Sequence, residues 1–531
     1  MKRDLITPEQ VWKKVCSEKK NLIIIGLVTW GLGILLYIPI VTEWLANPDC
    51  VWEGIVFKNG YGWENALGRI GLEKINKVKG FFQYPSAQTI FNLFLIGLIT
   101  ILICMLFDIS NTFWGILIGA FMIASPSLCS TLTYYYTADA YLISYLAAVL
   151  FVVLSTQEKK RYCLLSVVLL AFSLCLYQAY VGSAITLCLL YLLFLLLKKD
   201  CSWQKTVRQG MRFLVCGASG ILLYLMSYRF YCMLSGVRPV EDRGFSSMGS
   251  VPWTEVPNLV KMAYGYFFDY YLTDNLCANF WHFRGECNFG FMVLILLGIG
   301  ILIWKKRLYL SWQTLLIAIL AVLLLPLGFM SIVVMAPEVS IEDVTGILML
   351  PHMNYLYIFL VTLIAGEKKV DNLAVSMKWV TLALSAYMIL TLGMYTQVFQ
   401  NCMKKDLDKS CALAQRIVIQ VESLPEYYPG MKLIIGGRAE NGNYPRSYQE
   451  MYYVLKGSAA EYGYFWDTAN GRQNCWNNFL RQYLGVEYST CSMEELTSVM
   501  ESGEYSNMGL FPEDGSVRMI GDCAVVKLSD W

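Results

Sequence analysis

The sequence predicts a polytopic α-helical membrane protein with a small α/β domain at its carboxyl end. Three observations lead there. Of the 531 residues, 56% are hydrophobic and only 15% are charged, against roughly 25% charged residues in soluble domains. Mean hydropathy is +0.47, too high for a soluble fold, which must cover its surface with polar groups. Apolar runs of about 20 residues, the length that crosses a hydrocarbon core, recur between clusters of charge. Forty-two Lys plus Arg against 40 Asp plus Glu leave a net charge of +2. No global field therefore points to nucleic acid or to an acidic partner.

Eleven runs answer to this description, near residues 22–42, 89–107, 112–131, 140–156, 162–178, 181–197, 212–233, 288–304, 312–335, 351–366 and 378–396. The first follows a polar stretch, is too long for the apolar core of a signal peptide and has no small-residue cleavage site after it, so it is expected to stay as an anchor. The stretch 162–197 is twice the length of one span, and Gln178 and Gly182 interrupt it; a tight helical hairpin is expected.

Orientation follows from the placement of Lys and Arg. With the amino terminus inside, the cytoplasmic segments hold Lys13, Lys14, Lys19, Lys20, Lys159, Lys160, Arg161, Lys198, Lys199, Lys305, Lys306, Arg307, Lys368 and Lys369 among others. The opposite loops are longer but carry only Lys58, Arg69, Lys74, Lys77, Lys79, Arg238, Arg243, Lys261 and Arg284. The expected organisation is a cytoplasmic segment 1–21, a membrane domain 22–396 with large outer loops 43–88 and 234–287, and an extracytoplasmic domain 397–531. The last has a helix-like stretch from Ala412 to Leu424 and strand-like runs at 432–436 and 524–528.

Several chemistries lack their residues. With only His282 and His352, a histidine metal site or a Ser-His-Asp triad is poorly supplied, and each histidine reads as interfacial or packed. No phosphate-binding GxxxxGK[ST] loop is present, which argues against an ATP-driven pump. The 17 cysteines form no paired CxxC units. On the exterior, Cys277 with Cys287, or a pair among Cys475, Cys491 and Cys523, could bridge; free thiols fit the pattern equally.

Loops as large as 43–88 and 234–287 are usually functional. The first carries Glu43, Trp44, Asp49, Trp52, Glu53, Trp63, Glu64 and Arg69; the second carries Glu241, Asp242, Arg243, Trp253, Asp269, Trp281, Arg284 and Glu286. Carboxylates serve as bases, arginines clamp phosphates, and indoles stack on sugar rings or anchor at the lipid headgroups. Asp49 is the most suggestive acid, sitting just after the first span where a lipid-borne group meets water; a helix cap after Asn47-Pro48 is its structural alternative. Asp139, after three consecutive tyrosines, falls at the start of a span, where an acid favours a helix amino end or faces a central cavity. Gln178 places an amide at membrane depth, where it needs an internal partner or a ligand.

Taken together, the acid-bearing first loop ending in Leu67-Gly-Arg69, Ser125-Pro-Ser127, Tyr136-Thr-Ala-Asp-Ala-Tyr141, Tyr177-Gln178, Ala414-Gln-Arg-Ile and Leu433-Ile-Ile-Gly436 resemble the Gtr-type bacterial glucosyltransferases. The family often carries paired acids in the first loop and a tryptophan after Gly-Arg, whereas here Asp49 stands beside Cys50 and Ile70 follows Arg69. The resemblance implies a GT-C-like membrane enzyme that moves a hexose, glucose by the family, from a polyprenyl-phosphate sugar to a surface polysaccharide or teichoic-acid-like glycan by inverting displacement. It implies Asp49 as the base, with Glu43 or Glu53 in reserve, and Asp139 orienting donor or acceptor. Arg69, helped by Arg243 or Arg284, would hold the donor phosphate, and Trp44, Trp52, Trp63, Tyr136, Gln178 and Trp281 would contact sugar. No cofactor is expected beyond the lipid-linked donor, with a divalent metal left open. A donor-making glycosyltransferase and a flippase would act upstream. The rival readings are a flippase or transporter of lipid-linked sugars, which should use broken helices in symmetric halves, and a polysaccharide polymerase, which should place more arginines in its outer loops.

Overall fold

The computed structural model describes residues 19–56, 61–197, 202–240, 252–272, 284–336, 344–365, 372–437 and 469–530. Every apolar run forms a helix: α1 (Lys20–Leu36), α2 (Pro85–Leu106), α3 (Thr112–Ile123), α4 (Ala138–Ser155), α5 (Lys160–Leu176), α6 (Val181–Leu197), α7 (Trp203–Ser235), α8 (Arg284–Lys305), α9 (Trp312–Phe329), α10 (Tyr355–Ala365) and α11 (Asn372–Glu422). Seven are long and apolar enough to cross a membrane: α2, α4, α6 with its preceding 3-10 turn, α7, α8, α9 and α11. An eighth follows if α3 and the helix Pro126–Leu132, bent by 55° at Ser125-Pro126, count as one span. By length and composition, seven or eight of the eleven crossings expected from the sequence qualify as spans among the described residues. The reason lies in the breaks. Pro39 opens a separate helix Ile38–Thr42, Pro126 breaks the third run, and α1, α5 and α10 stop at 17, 17 and 11 residues. A proline at the first turn starts a helix readily but cannot continue the one before it. Between α5 and α6 the chain turns at one extended residue, Tyr177, and the 3-10 turn Gln178–Tyr180.

The surplus apolar residues lie on the outside. Leu214, Leu222, Met226, Phe230 and Leu234 of α7, and Leu316, Ile319, Leu320 and Leu323 of α9, are exposed, as lipid-facing positions should be. Inside, small residues bring backbones together. Gly115 and Gly119, spaced i and i+4 on α3, pack against Ile25 and Thr29 of α1 with no room for a Cβ. A Cβ at Gly97 of α2 would stand 2.8 Å from the Gly26 carbonyl of α1. Membrane helices gain by such contact because lipid already solvates their larger side chains.

Two regions depart from expectation. The second large loop contains a 17-residue helix, Val256–Leu272, that docks on the bundle: Tyr271 donates from its hydroxyl to the Met353 carbonyl, and Asn288 Nδ2 donates to the Tyr271 carbonyl at 2.7 Å. Its Lys261 and Asp269 kept it from reading as a span. α11 runs unbroken for 51 residues, so the span expected at 378–396 and the tail helix expected from Ala412 are one element. No break marks residue 396.

After α11 comes a three-stranded sheet of order β1-β3-β2, with β1 Lys432–Gly436, β2 Val517–Ile520 and β3 Cys523–Lys527. β1 lies parallel to the central, fully buried β3, and β2 lies antiparallel. The other edge of β1 meets Gln473 of the helix Ala469–Phe479. Its Nε2 donates to the Leu433 carbonyl at 2.8 Å and its Oε1 accepts from Ile435 N–H at 3.1 Å, so one side chain satisfies an edge that a fourth strand would otherwise cover.

The glycine seam gives a direct test. Gly119→Ala should cost about 1–3 kcal/mol, the usual range for overpacking, and lower the thermal midpoint of the detergent-solubilised protein. Gly31→Ala, where no atom lies within 4 Å of the added methyl, should leave the midpoint unchanged.

Candidate active site

The described part of the first large loop is folded, and its core is the six-residue helix Pro48–Glu53. So short a helix is not stable alone; it is held at both ends and from several elements. Asn47 caps it, its Oδ1 accepting from Cys50 N–H at 2.9 Å. Asn47 N–H and the Cys50 thiol both donate to the Thr133 carbonyl, each at 3.3 Å. Gln83 Nε2 donates to the carbonyls of Cys50 and Gly54 at 3.0 and 2.6 Å. From the tail, Asn474 and Asn478 donate their Nδ2 groups to the Trp52 carbonyl at 2.8 and 2.7 Å. Gly54 has φ 73°, and a Cβ there would meet the Asn478 amide, so glycine is required both by the turn and by the neighbour.

This helix presents Asp49 in its first turn and Glu53 at its end, and a third carboxylate, Glu64, comes from the helix Gly62–Ala66. Burial, reinforced by Glu64 and Asp49, raises the Glu53 carboxyl to about 7. Burial also raises Glu64, against the opposing pull of Arg69. Asp49 and Glu64 both act electrostatically on Tyr136 and Tyr141, two rings of one aromatic wall.

Arg69 stands against that wall. Its guanidinium lies 4.8 Å from the centre of the Tyr177 ring, and its Nη1 donates to the Tyr141 hydroxyl at 3.0 Å. Tyr141 and Tyr177 are stacked with centroids 4.1 Å apart. The backbone leading to Arg69 is clamped by side chains from distant helices: Tyr228 donates to the Ala66 carbonyl at 2.8 Å, Gln178 Nε2 to Leu67 at 2.8 Å, and Tyr224 to Gly68 at 3.2 Å. Gln178 Nε2 also donates to the Tyr224 hydroxyl at 2.8 Å. Leu67-Gly-Arg69 and Tyr177-Gln178, 111 positions apart between Leu67 and Gln178, therefore form one structure. The Nε–H of Arg69 is buried and finds no acceptor among the described residues. An unsatisfied charged donor at such a place is suited to an oxyanion.

Asp139 is buried on the same side. Lys79 Nζ sits 3.0 Å from its Oδ1, and Gln88 Nε2 donates to the same oxygen at 2.8 Å. Lys79 donates further to the carbonyls of Tyr135 and Tyr136 at 3.1 and 3.4 Å, and Gln88 donates to Tyr135 as well. Burial lowers the Lys79 ammonium, and Asp139 opposes that fall.

The remaining sequence candidates scatter. Glu43 pairs with Lys404 of α11 at 3.2 Å, with both side chains 40% exposed, a contact worth at most about 1 kcal/mol. Trp44 packs edge-on to Tyr483, whose hydroxyl donates to the Trp44 carbonyl at 2.7 Å. Trp52 and Tyr136 are half-buried and Trp63 is exposed. Arg243, Trp281 and Cys277 lie outside the described residues, and Arg284 begins α8, its side chain outside the description. His352 is a core residue: its Nε2 donates to the Phe329 carbonyl at 2.8 Å and its Nδ1 accepts from Ser183 at 3.1 Å.

Sequence reasoning named Glu64 among the loop acids without giving it a role, and passed over Lys79, Gln88, Tyr141, Tyr177, Tyr224, Tyr228 and the tail asparagines as site residues. Tyr141 and Tyr177 border Asp139 and Gln178 in the quoted motifs, a signal that was present. Lys79 and Asn478 carried none, since their partners are 60 and 426 positions away.

Carboxyls raised by burial and a guanidinium held on aromatic faces, on an apolar helical bundle, are parts that a group-transfer enzyme in a membrane would use. A family model described as Glucosyl transferase GtrII matches residues 53–365. The chain belongs to that family and is a glycosyltransferase, as the order of its short motifs implied. The match takes in Glu53, Glu64, Arg69, Asp139 and Gln178 but not Asp49 or the tail. No curated protein and no solved structure matches the chain.

Two outcomes follow from these contacts. Lys79→Met should cost about 3–5 kcal/mol, because it strands a buried carboxylate; adding Asp139→Asn should restore most of the loss in thermal unfolding. Glu53 has its folded-state value raised above 4.5 to about 7, so between those values the folded form holds a proton that the unfolded form has released. Stability should therefore fall as pH rises through that window and level off above it. Glu53→Gln should flatten this slope in melts taken from pH 5 to 8.

Proposed function

We propose that this glycosyltransferase moves glucose from a polyprenyl-phosphate donor to a hydroxyl of a surface glycan, with the amino terminus in the cytoplasm and the first loop and tail outside. The observation that carries the reading is Arg69: a guanidinium seated on stacked tyrosines, its buried Nε–H unsatisfied, with the Glu64 carboxylate acting on it. A phosphate ester is the oxyanion that a lipid-borne sugar would bring to it.

In this reading Asp49 takes the proton of the acceptor hydroxyl. The acceptor oxygen forms its bond to the anomeric carbon as the bond from that carbon to the phosphate oxygen breaks, and the configuration inverts. The electron pair leaves on the polyprenyl phosphate, where Arg69 meets the growing charge with a donor already in position. Glu53, raised to about 7 and so half ionised at neutral pH, is the reserve base. Tyr136, half-buried on the side of Asp49 and Glu64, supplies an aromatic face for the sugar. Asp139 and Gln178 act through others: Asp139 fixes Lys79 and the tyrosine backbone, and Gln178 fixes the turn that carries Arg69. Both are positioning residues. The donor is made and brought across the bilayer by an upstream glycosyltransferase and a flippase, and the prenyl tail stays in lipid beside the bundle.

Purified protein should transfer labelled glucose from a synthetic polyprenyl-phosphate glucose to extracted glycan. Asp49→Asn should lower kcat by about 10²–10⁴, the range for general-base loss, with unfolding unchanged, and Arg69→Gln should lower kcat/KM by about 10² or more. Full transfer by Asp49→Asn would remove the base assignment. Movement of intact donor between leaflets by wild type, without transfer, would replace this reading with a flippase.

A further inference from the structure

Two cysteines of the tail stand sulfur to sulfur, Cys491 Sγ and Cys523 Sγ being 3.8 Å apart. Their backbones are fixed to each other by contacts that do not involve sulfur. Ser492, next to Cys491, caps the helix Met493–Met500 in a capping box with Glu495. Cys523 opens β3 opposite Lys432 of β1 and Ile520 of β2. Lys432 Nζ joins the two segments, reaching Glu495 on one side and Asp522, at 3.3 Å, on the other. Cys523 and its neighbours Ile434, Leu496, Val499 and Met500 form a small apolar cluster, with Cys491 packed against it. The sulfurs must close from 3.8 Å to the roughly 2.05 Å of a sulfur–sulfur bond.

We propose that Cys491 and Cys523 form a structural disulfide in the mature protein. The bond spans 32 positions and ties the capping-box helix and β2 to the central strand. The two thiols give up two protons and two electrons to a disulfide-bearing oxidant, a protein or glutathione disulfide, which leaves as two thiols. Burial, together with the neighbouring sulfur, pushes the Cys491 thiol up to about 12, and burial raises Cys523. Little thiolate exists at neutral pH, so oxidation without a catalyst is slow. The pair is a staple formed once, not a redox sensor. Its presence in the cell rests on the outside position of the tail proposed above; the chemistry of the pair does not.

The test uses the full-length protein. Reduced and purified in detergent, it is incubated to equilibrium with oxidised glutathione and a protein disulfide isomerase as catalyst, digested and mapped by mass. The expected result is a joined peptide containing Cys491 and Cys523, two hydrogens lighter than the separate peptides, and an upward shift of the thermal midpoint. Cys491→Ser and Cys523→Ser should each abolish both. Separately, intact cells are acid-quenched and alkylated before lysis, and Glu513→Cys is tested for labelling by a membrane-impermeant maleimide. A joined peptide from cells, with position 513 labelled in that variant, supports the proposal. Failure to join in the purified protein overturns it outright. Two alkylated thiols in cells with position 513 labelled overturn the disulfide and leave the topology standing; two alkylated thiols with position 513 protected overturn both.

Discussion

A carboxylate taken out of water must find a partner or lose its charge, and the whole of the first loop is arranged around how Asp139 meets that demand. Its Oδ1 receives Lys79 from the loop and Gln88 from the start of α2, while Asp139 itself begins α4. One oxygen therefore joins three elements. The same two donors continue to the Tyr135 carbonyl, which fixes the turn before α4. That turn supplies the Thr133 carbonyl on which the Asp49 helix is seated. The placement of the acids is thus a second-order result of neutralising a charge they do not touch.

Arg69 solves a different problem by different means. No carboxylate hydrogen-bonds its guanidinium in the described contacts; aromatic faces and one tyrosine hydroxyl support it, while three side chains hold its backbone through consecutive carbonyls. Aromatic faces stabilise a cation without filling its hydrogen-bonding directions. The charge is kept near acids but not consumed by them. Had Glu64 closed a bidentate pair with it, the raised acids and the unsatisfied donor could not coexist a few residues apart.

How far the sequence carried this can be judged element by element. Hydropathy located a helix in every apolar run, because lipid exposure imposes composition directly on α7 and α9. It could not count crossings, because helix length is decided by proline and turn geometry at Pro39, Pro126 and Tyr177. It missed the helix Val256–Leu272, whose polar residues are balanced by tertiary contacts that leave no periodic trace, and it divided α11 where composition shifts although the backbone continues. In the site, Leu67-Gly-Arg69 and Tyr177-Gln178 were visible as motifs, yet nothing local said that they meet. Asp139 was visible as an acid, yet the lysine that neutralises it is 60 positions upstream. Chemistry-bearing residues announce themselves by type; the residues that place them are ordinary lysines, glutamines and asparagines.

α11 has a consequence of its own. At 1.5 Å per residue its 51 residues make a rod of about 76 Å, more than twice the roughly 30 Å of a bilayer core. Its first half packs among the other helices, its second half carries Lys404 to Glu43, and beyond it the helix Ala469–Phe479, which borders the sheet, holds the acid-bearing helix through Asn474 and Asn478. A continuous helix does not stretch. It works as a gauge: the separation between the helices that its first half packs against and the sheet that follows it is set by covalent geometry.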